Sequence, residues 1–515
     1  RDGMVWREEQ GAPYTQTRPD LPDYNPRGCQ KGASTSALMR SATRLQYPLK
    51  RAGKRGENRW QRISWDEALD TIAQAAVDTL STRGGKGAYV ECGSNFSFSP
   101  STIAMNRLFG YLGIPITNTF GSIGDLGNGA TEVLGIPETG GSSDGWFETD
   151  YFVNWFCNPI ATRIPDAHFI TEVRYRGARV VSISPDYSPT AIHADLWITL
   201  RPGTDTALAL AACRIVIDDN LYDADYVREQ TDLPLLVRED TRRYLTEADV
   251  VAGGGAGRQG WWDETTQQIV WSTSAMGAQQ PTLRLPPGAR PALEPTGLKV
   301  TLADGQTVAL RTVFSNLRDK LSAYDADSAA RITGVSAGTI RRFAREFATA
   351  KAAMILNGSS QYKTYHGDLT TRAQILLTAL TGNNGRPGGG WHYMSMFDME
   401  GWPLVSYADH PCDLSLQRPQ GIMDAMMKIF MEQTKTPGWV SGYFLSLLHA
   451  GLRDAQLNPA YGDPTLPRTP EQYLAEAIEK GYLPDLVPEE MGQPDIIFNL
   501  FGNPFRSCRM GGRRA

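Results

Sequence analysis

Apolar residues recur at helical and strand spacings in alternation along most of the chain. Ser64-Trp65-Asp66-Glu67 has the form of a capping box, and Ala68, Leu69, Ile72, Ala73 and Ala76 follow it at helical intervals, so a helix is expected from Ser64 onward. Short apolar runs bounded by turn residues read as strands at 87–92, 151–156, 179–184, 194–199, 353–356 and 495–500. Helical periodicity marks 101–110, 167–176, 206–219, 337–350 and 371–381. Strand and helix in alternation imply βαβ units, and hence an α/β fold with parallel sheets covered on both faces.

Two stretches break this rhythm. The first 62 residues, rich in Pro, Gly, Arg and Tyr, read as a small cap. Residues 250–300, with Gly253-Gly254-Gly255, Trp261-Trp262 and a Pro-rich run, read as an insertion of irregular or small β structure. The expected domains are 1–62; 63–150 with 400–515, as one discontinuous α/β domain; and 151–399, a dinucleotide-binding α/β domain carrying the insertion.

Composition narrows the classes. A chain of 515 residues exceeds one hydrophobic core, and its 41% apolar and 21% charged residues are those of an ordinary globular enzyme. A net charge of -5, with Lys and Arg scattered, argues against nucleic acid as a partner. No apolar run reaches the roughly 18 residues of a membrane span, so no direct membrane insertion is expected. The six cysteines form no C-x-x-C pair, which disfavours a disulfide framework or a self-contained zinc site. The chain opens on Arg1 and stops at Ala515 just after a strand-and-turn pattern, so both ends read as cut.

Several loops carry the residue types that meet phosphates at the carboxyl ends of parallel strands. They are Asn158-Pro159, Ser184-Pro185-Asp186-Tyr187, Arg201-Pro202-Gly203-Thr204-Asp205, the glycine-rich run from Gly382 to Gly390, and Gly502-Asn503-Pro504. Each alone is an ordinary turn. Neither a G-x-G-x-x-G nor a Walker loop accompanies them, which disfavours a plain NAD or ATP enzyme.

Taken in order, and with Arg27-Gly28-Cys29-Gln30-Lys31-Gly32, Tyr47-Pro48-Leu49-Lys50-Arg51 and Arg62-Ile63-Ser64-Trp65-Asp66-Glu67-Ala68, these loops resemble the molybdopterin oxidoreductases of the dimethyl sulfoxide reductase family. The resemblance is to the aspartate-ligated branch of nitrate, selenate and chlorate reductases, dimethylsulfide dehydrogenase and ethylbenzene dehydrogenase. Residues 151–187 look like the nitrate reductase alpha chain; Val5-Trp6-Arg7-Glu8-Glu9-Gln10, 230–238 and Tyr365-His366-Gly367-Asp368-Leu369 look more like ethylbenzene dehydrogenase. The implied fold is a multidomain α/β arrangement around a central cofactor, with a C-terminal barrel domain missing.

The resemblance also implies roles. Asp125, in Ser122-Ile123-Gly124-Asp125-Leu126-Gly127, would ligate molybdenum held by two molybdopterin guanine dinucleotides, with Gly124 beside the cofactor; a hard oxo-metal suits carboxylate oxygen. Cys29 would be the last ligand of one [4Fe–4S] cluster whose other ligands lie upstream, and Lys31 would stand between cluster and pterin. Asn158, Ser184, Asp186, Gly203 and Asp205 would contact one guanine dinucleotide, Gly382 and Asn384 would approach the cofactors, and Asn503 would begin a second nucleotide site.

Lys363 and Asp398 match polar residues of the metal pocket, whereas Ser94 stands where the ethylbenzene dehydrogenase type has a histidine. That departure favours oxyanion reduction over C–H activation. His366 and His392 read as structural histidines. The resemblance implies an oxygen-atom-transferring catalytic subunit in anaerobic respiration, with an iron–sulfur beta subunit and a haem or membrane-anchor subunit as partners. Periplasmic location by twin-arginine export is expected, with the cytoplasmic face of the membrane as the alternative. The rival readings are a dehydrogenase of a hydrocarbon or dimethylsulfide, and a cofactor-free structural homologue.

Overall fold

A computed structural model describes residues 4–8, 18–22, 28–92, 104–105, 108–109, 111–114, 116–117, 128–135, 140–141, 143–273, 285–364, 366–393, 439–440, 467–480 and 494–500. The chain divides into two compact units, one of residues 1–8, 34–126 and 396–515, the other of 9–33 and 127–395. Both contain parallel sheets flanked by helices, the α/β class that the alternating pattern predicts.

In the first unit, Ser64 caps the helix Trp65–Arg83 by accepting from the Glu67 N–H at 3.0 Å. Only half of the capping box forms, because the Glu67 carboxylate turns to the Lys50 ammonium at 3.3 Å. Leu69 and Ile72, which announce this helix in the sequence, are exposed. A four-stranded parallel sheet follows, in the order Trp439–Val440, Ile116–Thr117, Ala88–Cys92, Ile496–Leu500. The predicted helix at 101–110 falls mostly outside the described residues.

The second unit is built on five parallel strands, β1 (Tyr151–Trp155), β2 (Arg179–Ile183), β3 (Leu196–Ile198), β4 (Ala353–Asn357) and β5 (Gly390–Tyr393), in the order β5-β4-β1-β2-β3. Every residue of β1 and β4 is buried, Asn154 and Asn357 included, which is why both read as mostly apolar runs rather than alternating ones. On one face Tyr151, Val153 and Trp155 meet helices α1 (Asp205–Asp218), α2 (Ala337–Thr349) and α3 (Gly367–Leu380). On the other, Phe152, Met354 and Leu356 meet the helix Ala167–Tyr175 through Phe169, Ile170 and Val173. Helix α3 begins at Gly367, four residues before the predicted 371, after His366 in a left-handed conformation.

The insertion is wider than the predicted 250–300. Its three-stranded antiparallel sheet takes in Leu236–Arg238, Lys299–Thr301 and Thr307–Thr312, with a separate hairpin of Gly260–Asp263 and Gln268–Trp271. Leu236 and Leu310 are buried in this sheet.

The loop from Gly382 to Gly390 lies at the amino ends of the strands. Asn383 Oδ1 accepts from the Ala353 N–H at 2.8 Å where β4 starts, and Asn384 Oδ1 accepts from the Trp391 N–H at 3.2 Å in β5. Gly382 ends α3 at φ +63°, with Asp223 so near that a Cβ would stand 2.5 Å from its carboxylate. Gly388 (φ +70°) passes the backbone of Glu148 as closely, 2.3 Å from a would-be Cβ.

His392 pins this loop from β5. It accepts the Gly141 N–H at Nδ1 (3.2 Å) and is 2.9 Å from the Gly389 carbonyl at Nε2. Only the neutral ring with its hydrogen on Nε2 makes both contacts. Burial holds its pKa below the ordinary histidine value, although the bond to Gly389 works in the opposite direction.

Two outcomes follow from this packing. Phe343 is fully buried between Trp155 and Tyr151, with ring centroids 6.0 and 6.4 Å away. Phe343→Ala is expected to cost about 3–5 kcal/mol in denaturant unfolding. For His392, whose folded pKa is depressed, the contribution to stability is whole above the ordinary value of 6.5 and is lost as the pH falls below it. The denaturation midpoint should therefore drop more steeply from pH 7 to pH 5 in the wild type than in His392→Gln, and equal slopes would contradict the locked neutral ring.

Candidate functional site

The connection order of the five strands fixes where a crevice can open. From β1 the chain moves outward through β2 to β3; it then returns to the other side of β1 for β4 and β5. The helix Ala167–Tyr175, after β1, lies on one face and α3, after β4, lies on the opposite one. The carboxyl ends of β1 and β4 thus form a topological switch point, where parallel sheets of this kind receive ligands.

Asn158, Ser184, Asp186, Gly203 and Asp205 all follow the carboxyl ends of β1, β2 or β3, and Lys363 follows β4. The structure brings these six to one edge, but they do not all face outward. The Ser184 hydroxyl donates to the Asp186 carbonyl at 2.9 Å and receives Trp197 Nε1 at 3.3 Å, so it shapes its own turn. Asp205 is buried in the first turn of α1 and accepts from Trp155 Nε1 at 2.9 Å. Burial pushes its carboxyl up to about 6, against the bonds from Trp155 and from the Asp205 and Gly203 amides that favour the charged form.

Asp186 is exposed, and its carboxylate has no hydrogen-bond or ion-pair partner among the described residues. Gly203 is exposed at φ +82°, a backbone that side chains rarely adopt, one residue before the N-cap of α1. Lys363 is exposed at the end of a short 3₁₀ turn, Ser359–Lys363.

Gly382 and Asn384 are not brought to this edge. Their loop precedes β5 instead of following a strand, so it lies at the opposite end of the sheet, where its polar groups fasten β4 and β5. Cys29 and Lys31 lie in a short turn whose Lys31 and Gly32 amides donate to the thiol and hold its pKa below the ordinary range. Gly124, Asp125, Asp398 and Asn503, and also Ser94, lie outside the described residues. Among the described residues, no three His, Cys, Asp or Glu side chains come together as a metal site. No helix among them is long and apolar enough to cross a membrane.

Sequence reasoning missed the residues that build the switch point. Phe156, directly after β1, adopts φ +57°, a strained conformation for a bulky residue and of the kind found at ligand clamps. Its carbonyl receives Ser360 Oγ at 2.7 Å, and Gly358 passes so close that a Cβ would lie 2.3 Å from that oxygen. Asn357 closes β4 by donating to Gln361 at 2.6 Å and Gln374 at 2.8 Å, while Gln361 donates to Thr371 at 2.5 Å. Such a buried amide network fixes the turn bearing Lys363. Its only sequence signal is polar residues inside an otherwise apolar pattern.

The outward-facing set suits an anionic dinucleotide. Asn158 offers an amide NH2 with no partner among the described residues, and Asp186 offers an acceptor for base or sugar donors. A cavity of about 1300 Å³ lies elsewhere, in the insertion, and none of its lining residues belongs to this edge.

Comparison with known proteins agrees with the resemblance. The family model described as molybdopterin oxidoreductase matches residues 44–466. The perchlorate reductase alpha subunit of Dechloromonas aromatica (strain RCB) is 37% identical over 98% of this chain and 53% of its own length. The respiratory nitrate reductase alpha subunit of Haloferax mediterranei is 34% identical over 99% of this chain and 50% of its own. The dimethylsulfide dehydrogenase alpha subunit of Rhodovulum sulfidophilum is 41% identical over 76% of this chain and 42% of its own. Acetylene hydratase from Pelobacter acetylenicus overlays with a TM-score of 0.46 at 22% identity, covering 72% of this chain and 40% of that one. The chain spans about half the length of the curated relatives it matches. With a family model covering most of its residues and relatives above 30% identity along nearly its whole length, the chain belongs to the molybdopterin oxidoreductases.

Proposed function

We propose that this chain is part of the catalytic subunit of a molybdenum enzyme that reduces an oxyanion such as perchlorate, chlorate, selenate or nitrate. The observation that carries the reading is the placing of Asn158, Asp186 and Gly203 along the carboxyl edge of one parallel sheet, beginning at its switch point, in a chain of this family. When bound, a bis-molybdopterin guanine dinucleotide molybdenum centre supplies two-electron redox chemistry coupled to oxygen-atom transfer.

The chain's own residues bind and orient that group. Asn158 would donate to its acceptor oxygens, Asp186 would accept from donors of the base or ribose, and Gly203, with no side chain, would let the ligand approach the backbone. Asp125, with Gly124 beside it, provides the carboxylate ligand, and Asn503 opens the second nucleotide site. The Lys363 ammonium draws an anion toward the pocket and Asp398 lines it, while Ser94 in place of a histidine removes a base suited to C–H activation. Cys29 would be one ligand of a [4Fe–4S] cluster, with Lys31 close to it, and the cluster would supply the electron link to an iron–sulfur subunit. A haem or membrane-anchor subunit and periplasmic export complete the assembly.

A second reading, oxidation of dimethylsulfide or a hydrocarbon, is favoured by the 41% identity to dimethylsulfide dehydrogenase. The full-length protein, purified with its partner subunits, separates the two. About one molybdenum per chain is expected, with viologen-linked reduction of perchlorate, chlorate, selenate or nitrate exceeding ferricenium-linked oxidation of dimethylsulfide or ethylbenzene. Asp125→Ala should leave less than about 1% of the turnover, since removing even one group that stabilises a transition state costs 100-fold or more. Protein devoid of molybdenum would support a structural homologue instead.

A further inference from the structure

Asn158 stands three residues beyond β1, and its amide is held by a single residue on a neighbouring turn. Its Oδ1 accepts both the backbone N–H of Thr190, at 3.3 Å, and the Thr190 hydroxyl, at 2.7 Å. A backbone N–H can only donate, so the atom that faces it is the amide oxygen and the orientation of the amide is determined. The hydroxyl is oriented in turn. It accepts the Ile160 N–H at 3.3 Å, which leaves its one hydrogen for Asn158.

Thr190 is wholly buried, in the short helix Pro189–Ile192 that Ser188 caps by accepting from the Ala191 N–H. The Asn158 NH2 is thereby kept away from Thr190, half-buried at the strand edge and without a partner among the described residues. Turning the amide over would set two donors against the Thr190 N–H and present a carbonyl oxygen to an incoming anion. Both consequences are unfavourable.

We infer that Thr190 is a positioning residue that locks Asn158 as a donor toward a phosphate or carbonyl oxygen of the bound dinucleotide. The inference rests on the proposed function. It assigns Thr190 no contact with the cofactor, only control of the amide that makes one. The backbone N–H of Thr190 sets which way the amide faces, and the shorter hydroxyl bond holds it there; Ser can therefore replace Thr, whereas Val keeps only the longer bond and loosens the amide.

The test uses the full-length enzyme with its partner subunits. Molybdenum and acid-released guanine nucleotide are counted per chain, and their rate of loss is followed in mild denaturant. Thr190→Val should lose both about tenfold faster than wild type, the scale of one hydrogen bond to a charged group. Thr190→Ser should behave as wild type. Asn158→Ala should lose both at least as fast as Thr190→Val, and the double variant should be no worse than Asn158→Ala, because one residue acts through the other.

Thr190→Val retaining cofactor like a loaded wild type overturns the inference, and so does a double variant in which the two effects add. Circular dichroism melts check folding. If Thr190→Val does not fold, Asn158→Asp decides, since it keeps the shape but replaces the NH2 by an acceptor; retention at the wild-type rate there overturns the inference and faster loss supports it. Wild type that carries neither molybdenum nor guanine nucleotide overturns the proposed function itself, an outcome distinct from a loaded wild type indifferent to Thr190.

Discussion

Parallel pairing of Tyr151–Trp155 with both Ala353–Asn357 and Arg179–Ile183 is the constraint from which the second unit follows. Strands paired in parallel on both sides need long crossovers, and the crossovers must cover both faces. The central strand accordingly has no solvent-facing side and is buried throughout. Because the chain leaves it in one direction and returns on the other side, the helices that follow β1 and β4 lie on opposite faces, and the switch point between the two strands is a consequence of connection order.

At that edge the polar residues divide by where their hydrogen bonds go. Ser184, Asp205, Asn357 and Gln361 direct theirs inward, to Trp197, Trp155, Gln374 and Thr371, and so set the shape of the loops. Asn158 and Asp186 keep a group facing out. The inward set is costly to disturb because an unpaired polar group in a buried site loses its hydration without compensation. A rigid inward layer is what allows a few outward groups to be held in place for a ligand.

Glycine shows how composition alone misleads. Gly203 and Gly382 both lie in Gly-bearing loops beside helices, and both have positive φ, yet one lies after a strand and the other before one. Backbone freedom is needed equally for a turn that faces a ligand and for one that lets Asp223 or Glu148 approach closely. Only the direction of the neighbouring strand separates the two uses.

The α/β class, the order of strands and helices in the second unit and the presence of Asn158 and Asp186 in loops after strands were legible in the sequence, because apolar periodicity and turn chemistry are local properties. The family resemblance added order to loops that were individually ordinary, and the family match over residues 44–466 agrees with it. The inward turn of Ser184 and Asp205, the placing of Gly382 and Asn384 at the amino ends of the strands, the strained Phe156 and the grip of Thr190 on Asn158 were not legible. Each depends on contacts between residues 13 to 204 positions apart, and these are decided by the register of the sheet and the faces its helices cover, which no local window of sequence contains.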